Sequence, residues 1–195
     1  MLVGTENSET SNFPPRKLWT RAECEVMGRL GIVDLEQHEL IGGRLIVKAG
    51  KQGPEMRAIA SIVSWLRSIN GETFVVQGPS IFVHPEDSPT NEPEPDAVVL
   101  NRSLLEMDRL PGPEELLLVA EVSGVFLGFD LKVKGELYAR AGIAEYWILD
   151  LNERRVIVHR RPEGGRYMER WAYLEDEMVS TLGAPEVCIR VGDLF

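Results

Sequence analysis

Three ionisable side chains stand in stretches of the sequence that are otherwise apolar. Glu121 interrupts residues 116–122, a run in which both alternating sets of side chains are apolar. Such a run predicts a strand covered on both faces, where a lone charge is costly, so Glu121 needs a cation, a metal or a proton. Lys134 interrupts the apolar stripe of the next predicted helix, and Asp96 follows Pro95 at the start of another predicted strand.

These residue types suit metal-assisted hydrolysis. Carboxylates on neighbouring strands form a hard oxygen site for Mg²⁺ or Mn²⁺, and such an ion can activate a bound water against a phosphodiester. A nearby ammonium can position that water or stabilise charge that develops on the phosphate. We therefore predict that Asp96 and Glu121 bind a divalent metal and that Lys134 is the catalytic cation.

Two other interpretations of the same residues stay open. Asp96 could cap a turn in its Pro-rich loop, while Asp130 and Lys134 form an exposed pair four residues apart on a helix. Alternatively, the carboxylates could pair with arginines in a structural network, which would have no affinity for metal ions.

Other kinds of site find no support in the sequence. It contains no phosphate-binding loop, no dinucleotide-binding glycine pattern and no zinc-binding spacing, and its three histidines are scattered. Ser123 has no obvious histidine partner, which argues against nucleophilic hydrolysis. The two cysteines, Cys24 and Cys188, lie far apart, so we expect free thiols in a reducing cytoplasm.

A strand, a helix and a second strand must position Glu121 and Lys134. The first strand is predicted at residues 116–122, and the second at 145–151. Between them we predict a helix with Asp130 as its N-cap and Gly142 as its stop. A crossover of this kind folds the helix back over the sheet, so the two side chains can meet.

The remaining segments complete an α/β fold with a mixed central sheet flanked by helices and an added antiparallel C-terminal extension. Thr20 and Glu23 form a capping box before a short helix. A second, longer helix has Pro54 in its first turn and ends at Gly71. Further strands are predicted at residues 39–41 and 44–47 around a Gly-Gly turn, at 73–77, 81–84 and 96–100, and at 154–159 and 167–173 around a turn at 162–165.

The composition indicates one domain. With 195 residues, of which 44% are hydrophobic and 27% charged, the chain can bury a sizeable core. We expect a loose tail at residues 1–17 and a single domain at 18–195. No apolar run is long enough for a membrane helix, and the polar first residues do not resemble a signal peptide.

Charge is unevenly distributed along the chain. The net charge of −10 argues against a general electrostatic attraction for nucleic acid, because phosphate binding depends on Lys and Arg. Residues 84–96 hold five acids and no Lys or Arg, whereas residues 154–170 hold six arginines. From composition alone, we interpret both segments as solvated surface.

Several motifs occur in the order and at the spacing of a known family. They are PEPD at 93–96, LLLVAEVS at 116–123, D-x-x-x-K at 130–134, YARAGIAEYWILDL at 138–151, ELIGGRLIV at 39–47 and QGP at 77–79. Together they resemble the Uma family (Uma-two) of bacterial proteins described as restriction endonucleases, within the PD-(D/E)xK nuclease-like superfamily. The similarity covers roughly residues 19–195.

This resemblance implies a restriction-endonuclease-like fold and a cytoplasmic, Mg²⁺- or Mn²⁺-dependent endonuclease that hydrolyses phosphodiester bonds in DNA. Asp96 and Glu121 match the metal-binding carboxylates, and Lys134 takes the place of the lysine that usually follows on the strand. Glu39 matches a recurrent acidic position that reaches the same metal directly or through water. We also predict a homodimer, since cutting both strands of a duplex needs two sites, and no membrane association.

Two departures from the family pattern support an alternative. Met56 stands where relatives commonly carry a histidine, and Gly124, Val125 and Phe126 replace a polar run after the second carboxylate. Loss of polar neighbours removes hydrogen bonds that orient metal ligands. The chain could then be a catalytically silent nuclease-fold module for binding or assembly. The two functions differ in whether Val125 and Phe126 fill the metal pocket.

Overall fold

A six-stranded sheet runs through the middle of the molecule. The structure is a computed structural model, and it describes residues 16–48 and 52–195. The strands, in their order across the sheet, are β3 (Val75–Gln77), β4 (Ala97–Leu100), β5 (Leu116–Ser123), β6 (Glu145–Asp150), β7 (Arg155–Glu163) and β8 (Arg166–Tyr173). Only β5 and β6 are parallel neighbours within this sheet. The predicted mixed sheet is confirmed. Most of the predicted tail, residues 1–17, lies outside the described residues.

The connection between β5 and β6 is helical, as predicted. It consists of α3 (Leu127–Phe129), a π turn (Asp130–Lys134) and α4 (Gly135–Arg140), which follow one another without a break and are called the crossover helix below. The prediction of Asp130 as the N-cap is wrong. Its N–H already donates to the Phe126 carbonyl oxygen at 3.1 Å, so the helix begins before it and encloses it.

Both faces of the sheet are covered, which explains the apolar character of β5. On one face, α2 (Gly53–Asn70) packs its buried side chains against Leu118 and Ala120. On the other face, Tyr138 of the crossover helix packs in a cluster with Val119. Successive residues of a strand point to opposite faces, so a strand between two layers is apolar throughout.

A separate hairpin carries Glu39. It consists of β1 (His38–Ile41) and β2 (Arg44–Val47), joined by Gly42 and Gly43 as predicted. Both glycines have left-handed backbone, with φ of 56° and 70°. Before the hairpin, α1 (Arg21–Arg29) begins at the predicted capping box, in which the Glu23 N–H donates to the Thr20 hydroxyl.

Some predicted boundaries differ from the structure. Residues 81–84 form no strand, because the N–H groups of Ile81 and Phe82 donate to two different segments, at Pro93 and Pro111. β3 begins later than predicted, after a 3₁₀ turn at Glu72–Phe74, and β7 extends to Glu163. Beyond β8, the C-terminal extension adds an antiparallel pair, β9 (Met178–Val179) and β10 (Ile189–Arg190).

Short 3₁₀ helices occupy Ser88–Thr90, Leu104–Glu106, Pro113–Glu115 and Val191–Leu194. None of the helices in the described ranges is long and apolar enough to cross a membrane.

The two glycines of the hairpin turn allow a matched test of how the hairpin that carries Glu39 packs against Leu18. Replacing Gly42 or Gly43 by Ala places a side chain on left-handed backbone, at a cost of about 1–2 kcal/mol. A Cβ at Gly43 would also lie 2.7 Å from Leu18 Cβ, whereas one at Gly42 meets nothing within 4 Å. We therefore expect Gly43→Ala to lower the free energy of unfolding more than Gly42→Ala in urea denaturation. Equal losses would contradict the packing of the hairpin against Leu18.

Candidate active site

A pocket of about 260 Å³ lies where the carboxyl end of β5 meets the hairpin, α2 and the crossover helix. It is called the active-site pocket below. All the predicted site residues line it, although they come from four separate segments: Glu39, Asp96, Glu121 and Lys134. Asp96 and Glu121 converge because Ala97 pairs with Ala120 across β4 and β5, which brings the start of one strand close to the end of the other.

Lys134 is the centre of the pocket's ion pairs. Its Nζ lies 2.9 Å from Glu121 Oε1 and 3.0 Å from Glu39 Oε1, and all three side chains are buried. Asp130 is buried as well, so the interpretation of Asp130 and Lys134 as an exposed helix pair is wrong. Within the described ranges, no arginine forms a salt bridge with Glu39 or Glu121. The partner of both carboxylates is the predicted lysine.

Asp96 is fixed by the neighbouring strand. Its Oδ2 accepts a hydrogen bond from the Val122 N–H at 2.7 Å, so the side chain reaches from the start of β4 to the end of β5. It therefore does more than cap a turn in its own loop. This bond holds the Asp96 carboxylate beside the strand that carries Glu121, one residue away.

Tyr138 is a site residue that the sequence did not reveal as one. Its hydroxyl donates to Glu121 Oε1 at 2.8 Å, the same oxygen that Lys134 contacts. Both contacts end on Oε1, so neither engages Oε2. The available signal was spacing, since Tyr138 follows Lys134 by four residues and shares its helix face. The neighbouring Tyr146 hydroxyl donates to the Asp130 carbonyl oxygen at 3.1 Å and ties the π turn to β6.

The pocket has an excess of negative charge. Six acidic residues and two lysines line it. The acids are Glu39, Glu55, Glu94, Asp96, Glu121 and Asp130, and the lysines are Lys48 and Lys134. Burial raises the pKa of Glu121, and the Lys134 ammonium opposes this shift. Burial lowers the pKa of Lys134, but the surrounding carboxylates outweigh it and raise this pKa above its usual value. Lys134 therefore keeps its proton at pH 7.

The donor chemistry of this pocket fits a hard divalent cation. Carboxylate oxygens of Asp96 and Glu121 suit Mg²⁺ or Mn²⁺, which often take only one or two protein carboxylates and keep water or phosphate oxygens as other ligands. Residues 16–48 and 52–195 contain no group of three or more His, Cys, Asp or Glu side chains arranged to hold a metal ion. Glu39 is paired with Lys134, and its predicted role as a metal ligand stays a prediction.

The residues that depart from the family pattern do not fill the pocket. Val125 and Phe126 are among its lining residues, yet they are 86% and 55% exposed. They therefore form an apolar rim around the opening. Met56 is 60% exposed and is not part of the lining, and Gly124 lies at the edge near Glu55.

The chain has a mixed sheet with a helical crossover, and carboxylates gather where β4 begins and β5 ends. This combination defines a nuclease-fold α/β protein. A solved structure from Anabaena variabilis, titled a putative nuclease belonging to DUF820, has a similar fold with a TM-score of 0.68 and 18% sequence identity, over 90% of this chain and 97% of that one. This likeness confirms the predicted fold class.

The sequence places the chain within a family of that class. A family model, Uma2, described as "Putative restriction endonuclease", matches residues 29–192, and the chain belongs to this family. The resemblance inferred from the motifs is thereby confirmed. Membership supports a nuclease, that is, a hydrolase acting on phosphodiester bonds. A search of curated proteins found no significant match.

Proposed function

We propose that this protein is a Mg²⁺- or Mn²⁺-dependent endonuclease that cleaves DNA in the active-site pocket. The observation that carries the proposal is the convergence of Lys134 with carboxylates from three other segments, at a pocket that faces solvent. A buried cation needs carboxylate partners for stability, but a purely structural pair would not need an acidic, open pocket beside it.

Each of the converging side chains has a role in this proposal. Asp96 and Glu121 would hold the divalent ion, which supplies an activated water and polarises the phosphate. Glu39 would add a ligand directly or through water. Lys134 is held by Glu39 and Glu121 at a fixed position, from which its ammonium can orient the attacking water or stabilise charge on the phosphate. Tyr138 fixes the orientation of Glu121.

The exposed rim supports an active enzyme over a silent module, because Val125 and Phe126 leave the pocket open. The same apolar rim is the feature that a binding or assembly module would use, since exposed apolar surface marks contact sites. Cleavage of both strands of a duplex needs two copies of the pocket. The homodimer and the cytoplasmic location stay predictions.

The decisive experiment is a cleavage assay on end-labelled DNA and RNA, single- and double-stranded, with Mg²⁺, Mn²⁺ or EDTA. We expect cleavage of DNA with either ion and none with EDTA. Asp96→Asn is the matched control, because an amide oxygen can still accept the Val122 N–H while the charge is lost. Cleavage that persists in this variant would assign the activity to another site or a contaminant. Ion binding without cleavage would favour the silent module.

A further inference from the structure

A second pocket, of about 380 Å³, lies between the crossover helix and the β7–β8 hairpin. It is called the basic pocket below, and its lining residues with polar side chains are Lys132, Glu136, His159, Arg166, Tyr167 and Arg170. The crossover helix separates it from the active-site pocket. Asp130 and Lys134 line the first pocket, whereas Lys132 and Glu136 line the second, so the two sites share one helix as a wall.

The arginines of residues 154–170 fall into two groups. Four of them form salt bridges: Arg154 with Glu175, Arg155 with Asp150, Arg160 with Glu145, and Arg161 with Glu163 and Glu169. Arg166 and Arg170 form none with any described residue, and both line the basic pocket. Both are exposed, as the interpretation of this segment as solvated surface predicts, but their charges are not neutralised by a salt bridge with any described residue.

Lys132 adds a third cation without a salt bridge among the described residues, and Glu136 is the acid in the lining. The basic pocket thus has an excess of positive charge on a chain whose net charge is −10. Since all three cations are exposed, a ligand can reach them without rearrangement of the fold.

His159 forms part of the wall of the basic pocket. The residue is 5% exposed, and its Nδ1 is buried without a hydrogen-bond partner among the described residues. The ring is held between Tyr146 and Tyr167, with ring centroids 5.4 and 5.6 Å away. The stacked ring is therefore a fixed part of this wall.

The chemistry of the basic pocket selects an oxyanion. Burial, followed by the Arg170 charge, lowers the pKa of His159 to about 4, while a backbone hydrogen bond with Tyr146 opposes this shift. Arg166, Arg170 and Lys132 present only donors. A phosphate group combines negative charge with several acceptor oxygens, and arginine is well suited to bind it.

We propose that the basic pocket binds a backbone phosphate of the nucleic acid substrate and so positions the strand beside the active-site pocket. This inference rests on the proposed nuclease function. The pockets lie on two faces of one helix, which with its side chains is about 10 Å across. Successive phosphates of one strand are about 3.4 Å apart along a duplex axis, so a strand spans this separation within a few nucleotides.

The test compares two double variants that lose the same charge. Arg166→Gln/Arg170→Gln removes the unpaired arginines of the basic pocket. Arg154→Gln/Arg161→Gln removes two arginines of the same segment that lie in exposed salt bridges outside it. Fluorescence anisotropy with a labelled DNA duplex in EDTA gives Kd at several salt concentrations. We expect the pocket variant to bind about tenfold or more weakly and to lose about one unit of salt slope, because one phosphate contact is lost.

The outcomes separate this inference from the proposed function. Weaker binding only in the pocket variant supports the inference, even if the wild type fails to cleave, in which case the proposed function alone is wrong. Cleavage with the same KM and Kd in both double variants, or no DNA binding by the wild type, overturns the inference. If free inorganic phosphate shifts the His159 ring signals in NMR while DNA binding is equal in both variants, the site serves a small phosphate and the inference is also overturned.

Discussion

Replacing Lys134 by Met is expected to lower the rate of metal-dependent cleavage by about 10²–10³-fold, the usual effect of removing one group that stabilises transition-state charge. Met keeps the length and packing of the side chain but removes the ammonium that lies between Glu39 and Glu121. The two carboxylates then lose their shared cation. Since Lys134 is what opposes the raised pKa of Glu121, this carboxyl should also hold its proton to higher pH.

The measurement is single-turnover cleavage of the DNA substrate, with circular dichroism to confirm folding. Lys17→Met is the matched control, because Lys17 is an exposed lysine that pairs with Glu23 and does not line the active-site pocket. A Lys134→Met protein that is folded and cleaves at the wild-type rate would sink the assignment of Lys134 as the catalytic cation. Loss of folding would instead show that the ion pair is structural, and Lys134→Arg would then test whether charge alone restores activity.

Replacing Glu121 by Gln is expected to weaken Mn²⁺ binding by more than about 100-fold, above the usual effect of residues that only orient a ligand. The amide oxygen of Gln can still accept the hydrogen bonds from Lys134 and Tyr138, so the local packing should survive. The negative charge that attracts the ion is lost. Isothermal titration of Mn²⁺ into both proteins measures the difference without relying on turnover.

The control for this titration is Glu115→Gln. Glu115 is also a buried carboxylate, directly before β5, but it pairs with Arg102 and Arg109 and lies outside the active-site pocket. We expect wild-type Mn²⁺ binding in this variant. Equal binding by all three proteins would show that the ion binds elsewhere, whereas no binding by any of them would favour a silent module.

The contact between Glu121 and Lys134 could be predicted from the regular spacing of side chains along a strand and along a helix. A strand alternates its side chains and a helix repeats every three or four residues, so a polar residue in an apolar stripe must face the layer opposite. The right-handed crossover between parallel strands then brings the two layers together. Neither step needs information from distant parts of the chain.

The rest of the site depends on contacts that no local period encodes. The pairing of Glu39 with Lys134 requires the hairpin to lie close to the crossover helix, and only the family resemblance pointed to Glu39 as a site residue. The role of Tyr138 depends on which oxygen of Glu121 it reaches. Composition did not reveal the basic pocket for a similar reason, since it counts arginines but does not show that Arg166 and Arg170 form no salt bridge with the described residues.

The π turn at Asp130–Lys134 makes this part of the chain intolerant of changes in length. The Gly135 N–H bonds back five residues to the Asp130 carbonyl oxygen, so the turn holds one residue more than an α-helical turn. Deleting one residue here would convert the π turn to an α-helical turn and remove the hydrogen bond from the Gly135 N–H to the Asp130 carbonyl oxygen. Asp130 and Lys134, which line the active-site pocket from the two ends of this turn, would then change their spacing. Among natural relatives that keep this site, insertions and deletions should therefore fall outside the turn.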